Sequence, residues 1–566
     1  MTEPTATAAP AGAPTLPDQP RSGSRAVNIA WLLGGFCLTL VFTVQLFRYG
    51  DEWWHLALGR LILNHGIPAV EPFSFVATQH PWVEQQWLYE VALATLVRIG
   101  GDGLASLGMG LVGSLALLVA ALAVPRRARV PRGWSAAAMV LCGLMAGMAL
   151  GVRAETVSAL GVAVTLLIVQ RWRDGNRWVV WLLPPVYLLW ANLHAGFIAG
   201  LGVLAFTLVI HRASRNRTAV PVSGGLSMAV ICVGAAAATV LLGLLAGAAV
   251  LVLLWAAFRP VAVDQGVRRG PLAIASATAA LLTLVNPAGP GLYAYIAETV
   301  GNPILSQLVS EWQSPNFHDM LTRLIEVVAA LLVLVWLLGR RPRVTDVLLA
   351  TAAFLLTLQA VRNVSLFAVV AIPLLSEYGA AAWSARAPIG LRRQLGTRLP
   401  GGVALVAAIA VSAASIAIMA PQASAASAAQ FEQTHEPETA ADYVAANFPG
   451  QRIFSSDGDA GYLAYRFPTE RVVFVYDEIG IFGTGPLTDY LDMATISGNW
   501  KTLLTTKYGI RHAILGTGSA DLSALLELGW TVDCYEAPSG RVVVSAGGSP
   551  PTSLPPPPSD APACAG

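Results

Sequence analysis

Ionisable and amide side chains stand where apolar runs end: Asp51, Glu52 and His55; Arg153 and Glu155; Asn192 and His194; Asn286; Glu311 and Gln313; Arg362 and Asn363. A charge at membrane depth is costly, so such residues line a cavity or a pathway and do not face lipid. Carboxylates and histidines relay protons, and arginine forks hold anions, so one cavity holding all three can run acid–base chemistry on an anionic substrate. Asp51 and His55 are four apart, and a helix starting at Asp51 sets both on one face. Plainer roles stand beside these. Asp51 suits a helix N-cap, Arg153 and Glu155 an interfacial ion pair, and His194 a polar residue held at a helix start. Asn286-Pro287-Ala288-Gly289 reads as a turn. Glu311 suits a divalent cation, but no second carboxylate stands at ligand spacing, so no metal or other cofactor is expected beyond that one alternative. Arg362, in an apolar setting, has no plain role.

The elements that must position these residues are membrane helices. The chain has 566 residues, of which 55% are hydrophobic and 12% charged, and its mean hydropathy is +0.60. Soluble domains carry about 25% charged residues. A chain half as charged cannot cover its surface with polar groups. Runs of roughly 17–25 apolar residues mark spans. They occur at 27–47, 103–124, 134–151, 154–170, 177–191, 195–210, 226–241, 243–258, 271–285, 323–338, 344–360, 364–379 and 401–420. The expected fold class is an α-helical polytopic membrane protein of about thirteen transmembrane helices.

Arginine sets the orientation. Arg21 and Arg25 precede the first span, so the tail 1–25 is read as cytoplasmic and disordered. Basic loops follow at Arg126 to Arg132, Arg171 to Arg177, Arg212 to Arg217, Arg268-Arg269, Arg340 to Arg343 and Arg386 to Arg398. They alternate with poorly basic connections provided 53–65 and 86–98 are helices on the outer membrane surface, within an outer loop 49–102, with Trp53 and Trp54 as interfacial anchors. The membrane domain then spans 26–425, and every polar residue named above falls on its outer side. The region 430–548 lies outside and reads as a small α/β domain. Its strands are Val472 to Val475, His512 to Leu515 and Arg541 to Val544; its helices are 436–448, 498–508 and 519–528. A Pro-rich disordered tail, 549–566, ends the chain. Cys534 and Cys564, far apart, suggest no disulfide framework. The scattered arginines exclude a nucleic-acid footprint.

Several stretches together carry a resemblance: Asp51-Glu52-Trp53-Trp54-His55, Gly66-Ile67-Pro68, Pro81-Trp82-Val83-Glu84-Gln85-Gln86-Trp87, Asn192-Leu193-His194-Ala195-Gly196, Asn286-Pro287-Ala288-Gly289, Ser310-Glu311-Trp312-Gln313 and Arg362-Asn363. From about residue 28 to 545 the chain resembles the bacterial GT-C-type membrane glycosyltransferase-like family. It departs from the family at Arg153-Ala154, where Arg-Pro is common, and at Tyr476-Asp477-Glu478, where an Asp-Gly-Arg-like turn is common. The resemblance implies a multi-pass cell-membrane enzyme that takes a sugar from a polyprenyl-phosphate donor to an acceptor hydroxyl at the outer face. The acceptor would be a glycan, lipid, protein or small molecule. Asp51 would be the base, with Glu52 in reserve and His55 beside them. Arg153, His194 and Arg362 would face the donor phosphate, and Glu155, Asn192, Glu311, Gln313 and Asn363 would line the rest of the cavity. A lipid-linked glycan ligase, a transporter, or a non-catalytic scaffold with an outer binding domain are the alternatives.

Overall fold

The computed structural model describes residues 25–47, 50–213, 269–302, 304, 309–388, 401–547 and 561–564. The expected spans 226–241 and 243–258, most of both tails, and Arg215, Arg217, Arg268, Arg392, Arg393 and Arg398 lie outside them. The remaining eleven expected spans fall on helices. Among the described residues four helices are long and apolar enough to cross a membrane: Arg25–Thr43 (α1), Trp87–Leu122 (α3), Ala154–Arg173 (α5) and Val361–Arg386, whose regular part is Val364–Arg386 (α12). A fifth candidate joins Leu405–Pro421 to Ala425–His435 across a 47° bend. Shorter apolar helices fill the gaps between them, among them Arg132–Ala146 (α4), Leu183–Leu193 (α6), Phe197–Ala213 (α7), Arg269–Leu282 (α8) and Val344–Gln359 (α11).

Small and hydroxylated residues let these helices approach. Thr39 on α1 donates to Ser114 on α3 at 3.1 Å, and Thr43 donates to the Gly110 carbonyl at 2.9 Å. Such contacts between small residues are how helices associate where hydrocarbon removes any hydrophobic drive between them. The outward faces stay apolar: Ile29, Leu281, Leu337 and Val406 are all more than half exposed. Apolar faces of this kind suit helices that lie against lipid.

The expected helix at 86–98 and the span at 103–124 are two helices that abut, and α3 is broken between them where Gly100 and Gly101 leave helical geometry. Gly101 has φ of 69°, a conformation that a side chain resists. The first part of α3 packs against Gly50–His65 (α2). The part of α2 from Glu52 to Gly59 is buried, not splayed on a membrane surface: Trp53 and Trp54 are each 2% exposed. Their reading as interfacial anchors is therefore corrected. Both are enclosed by the C-terminal unit, and the Trp53 indole donates to Glu436 at 3.0 Å.

The C-terminal unit is a four-stranded sheet in the order β1-β2-β4-β3: Ile453–Phe454 (β1), His512–Gly516 (β2), Thr531–Glu536 (β3) and Arg541–Ser545 (β4). β1 and β2 run parallel, and the other pairs are antiparallel. Its helices are fixed by local caps. Glu536 of β3 accepts the Thr439 and Ala440 amides at the start of Glu438–Asn447 (α15), and Ser456 accepts the Asp459 amide of Asp457–Arg466 (α16). The expected strand at Val472 to Val475 is instead an irregular buried segment. Its carbonyls are divided between β1, through the Ile453 amide at 2.9 Å, and loop 70–82, through the Phe75 amide at 3.1 Å. A second correction concerns Cys534 and Cys564, which form a disulfide. Pro562 to Cys564 lies along the β3 edge, with the Tyr535 amide donating to Pro562 at 2.8 Å.

The loop following α1, α2, the start of α3 and the C-terminal unit share one hydrophobic core. A second core fills the helical bundle. The polar ends of the spans meet where these two cores join.

Candidate active site

Four separate pieces of chain deliver a closed ring of charges. Asp51 comes from the first turn of α2, and Arg153 is the residue before α5. Glu155 sits in the first turn of α5, Glu311 in the short helical turn Ser310–Trp312, and Arg362 in the turn Val361–Asn363 before α12. Arg153 donates to Asp51 Oδ2 at 2.8 Å, pairs with Glu311 Oε2 at 2.5 Å, and approaches Glu155 Oε2 at 3.8 Å. Arg362 pairs with Glu155 and, at 3.0 Å, with Glu311 Oε1, and its guanidinium lies 4.7 Å from the Trp312 ring centroid. The ring runs Arg153, Glu311, Arg362, Glu155 and back to Arg153, and Asp51 is joined to it through Arg153. Each side chain keeps between 10% and 26% of its surface open, so the ring lines a cleft and is not sealed in the core.

His194 joins from the end of α6. Its Nδ1 accepts the Gly196 amide at 3.1 Å, and an amide can only donate. Ser158 Oγ, which accepts the Trp190 indole at 2.9 Å, reaches the same Nδ1 at 2.6 Å and so donates to it. The proton of neutral His194 is thereby placed on Nε2, 4.0 Å from Glu155. Sequence reasoning missed Ser158 and Trp190, because a span interior gives no sign of a partner on the next helix.

The other expected residues brace the ring. Asn192 accepts the Trp87 indole at 2.8 Å and donates to the Leu188 and Val285 carbonyls, tying α3 and the turn after α8 to α6. Gln313 acts through its backbone, whose carbonyl accepts the Val361 amide at 2.9 Å and so joins the two turns that carry Glu311 and Arg362. Asn363 donates to the Leu356 carbonyl at 3.0 Å. Asn286 starts a turn closed by the Gly289 amide, as its sequence suggests.

His55 and Glu52 stand apart from Asp51. His55 turns toward Glu90 and Gln86, at 3.1 and 3.2 Å, and burial pushes its pKa down to about 3, so it is neutral. The expected pairing of Asp51 and His55 on one face is replaced by a division: Asp51 faces the cleft, and His55 faces the α2–α3 packing seam. Glu52 is buried at 2% exposure. Burial, with Glu311 and Glu155 nearby, raises the Asp51 pKa to about 6 against the opposing pull of Arg153 and the Trp54 indole.

The C-terminal unit adds residues that the sequence gave no reason to place here. Asp477 lies against Gly50; a Cβ on Gly50 would collide with its carboxylate. Glu478 accepts the Tyr295 hydroxyl and, at 3.4 Å, the Gln85 amide, and burial raises its pKa to about 7. Asp51, Glu155 and Glu311 surround Arg153, yet among the described residues no three His, Cys, Asp or Glu side chains form a group that could hold a metal ion. The arginines occupy the space between the carboxylates.

No protein-family model matches the sequence, and no curated protein matches it. Solved structures do. The oligosaccharyltransferase of Archaeoglobus fulgidus, crystallised with a tethered acceptor peptide, matches with a TM-score of 0.50 and 14% identity, over 87% of this chain and 69% of that one. ArnT from Cupriavidus metallidurans, bound to undecaprenyl phosphate, matches with a TM-score of 0.41 and 15% identity, over 92% of this chain and 97% of that one. The GT-C-like fold expected from the sequence resemblance is thus one this chain shares with that oligosaccharyltransferase structure.

Proposed function

We propose that the protein is a membrane glycosyltransferase that moves a sugar from a polyprenyl-phosphate donor to an acceptor hydroxyl at the outer face of the cell membrane. The observation that carries this reading is the ring itself. A base, two arginine forks and two further carboxylates converge from four chain segments where an apolar bundle meets a polar unit. The fold in common with an oligosaccharyltransferase adds the kind of reaction. In this reading the bundle is completed to about thirteen spans, the N-terminus is cytoplasmic, and 430–548 is an outer domain.

The steps follow from the geometry. The acceptor hydroxyl attacks the anomeric carbon, and the bond from that carbon to the phosphate oxygen breaks. The electron pair leaves with the lipid phosphate, and the hydroxyl proton passes to Asp51. A carboxylate that gains a proton loosens its hold on Arg153, so one edge of the guanidinium, still anchored by Glu311, becomes available as negative charge appears on the phosphate. Arg362 supplies the second fork, and neutral His194 offers its Nε2 proton. Arginine suits the task because its planar donors match phosphate oxygens two at a time.

Protein reconstituted in vesicles with a polyprenyl-phosphate sugar and a hydroxyl acceptor should release lipid phosphate and form a glycoside in equal amounts. Absence of turnover across donors that differ in sugar, with the protein folded, would remove this reading.

A further inference from the structure

A second cationic site lies away from the ring, between α2 and the first part of α3. Gly59 lets the two helices meet: a Cβ there would strike the Glu90 carbonyl and press on Ala94 at 3.0 Å. One turn beyond that crossing the helices leave a cleft of about 290 Å³ lined by Arg60, Leu63, Asn64, Ala94 and Arg98. Arg60 and Arg98 are both exposed. Arg60 is held over the Tyr465 ring at 4.7 Å, with Asp102 as the carboxylate whose charge it feels. Arg98 makes no ion pair with any described carboxylate. Beside the cleft Leu63 is 45% exposed and Ile99 72% exposed. Two guanidinium groups and an amide therefore flank a hollow whose rim is bare hydrocarbon.

We propose that this cleft binds the phosphate headgroup of an anionic membrane lipid, with Arg60 and Arg98 on the phosphate and Leu63 and Ile99 against its acyl chains. A soluble anion would use the arginines but has no need of the exposed Leu and Ile. A neutral lipid would use the apolar rim but leave two like charges facing one hollow. Only a ligand with both parts uses every feature. Side chains that pair an aliphatic stem with a charged end are suited to the membrane boundary. The site does not depend on the glycosyltransferase reading, since it can be measured without turnover.

The test is native mass spectrometry of the purified full-length protein in detergent, with phosphatidylglycerol and phosphatidylcholine added in equal amounts. The wild type should retain phosphatidylglycerol in preference. Arg60→Gln with Arg98→Gln should lower that preference about twenty-fivefold, at about fivefold for each cation near the headgroup plane. Arg98→Gln alone breaks no ion pair, so it should leave folding intact and take about one fivefold step. Arg98→Lys should restore most of it. Undiminished preference in both glutamine variants would overturn the site. Displacement of phosphatidylglycerol by millimolar inorganic phosphate, to the same extent as by excess lipid, would overturn the lipid as ligand and leave a free-phosphate site.

Discussion

At the scale of the residue, the proposed function puts the chemistry on Asp51, and its neighbours would set when it can act. A base must be unprotonated, and burial holds the Asp51 pKa at about 6. Transfer should therefore rise with pH through about 6 and flatten above it. Glu155→Gln removes one of the negative charges that raise this value, so the limb should move to lower pH; a limb fixed in both proteins would show that another group titrates. Arg362 contacts Glu155, Glu311 and the Trp312 face together. Arg362→Lys keeps the charge but cannot span two carboxylates, so kcat/KM should fall about ten- to hundredfold, the size of one to two charge-assisted hydrogen bonds. Unchanged kinetics would mean the fork does not touch the donor. Asp51, Arg153, Glu155, Glu311 and Arg362 were all legible in the sequence, because each is a charge at the end of an apolar run. Asp477 and Ser158 were not. The first lies in a distant part of the chain, and the second is an ordinary hydroxyl until the fold sets it 2.6 Å from His194.

At the scale of the element, the site depends on how closely the C-terminal unit sits on α2. Gly461 of α16 faces Gly50, and a Cβ on Gly461 would collide with the Gly50 carbonyl. Gly461→Val should force the two helices apart and cost about 1–3 kcal/mol, the usual range for overpacking. The expected result is a lower unfolding midpoint together with slower transfer, since Asp51 follows Gly50 directly. Full activity in that variant would show that the outer unit does not position the base. The long apolar helices were readable from composition, and so were β2 and β4 from their apolar runs. The break at Gly100-Gly101 falls in the gap left between 86–98 and 103–124, but the irregular path of Val472 to Val475 was not readable, since it is decided by what packs against it.

At the scale of the whole molecule, the reading requires that α2, the ring and the C-terminal unit lie on one side of the membrane. The disulfide of Cys534 with Cys564 agrees with an oxidising compartment for that unit. With the native cysteines replaced, His65→Cys and Ala520→Cys should both react with a membrane-impermeant reagent in intact cells. Reaction of one alone would break the topology. Two distant cysteines could not be paired from sequence, because contact between them is made by the sheet edge and not by spacing.

The central claim is that Asp51 takes the acceptor's proton. Its most direct test is the rate of sugar transfer by Asp51→Asn, beside Glu52→Gln, in vesicles supplied with a polyprenyl-phosphate sugar. Asparagine keeps the size and the hydrogen-bonding of the side chain but cannot accept the proton. The account predicts a loss of about 10²–10⁴ in kcat for Asp51→Asn with the donor still bound, and a far smaller loss for Glu52→Gln. Near-normal transfer by Asp51→Asn would contradict it, whatever Glu52→Gln does.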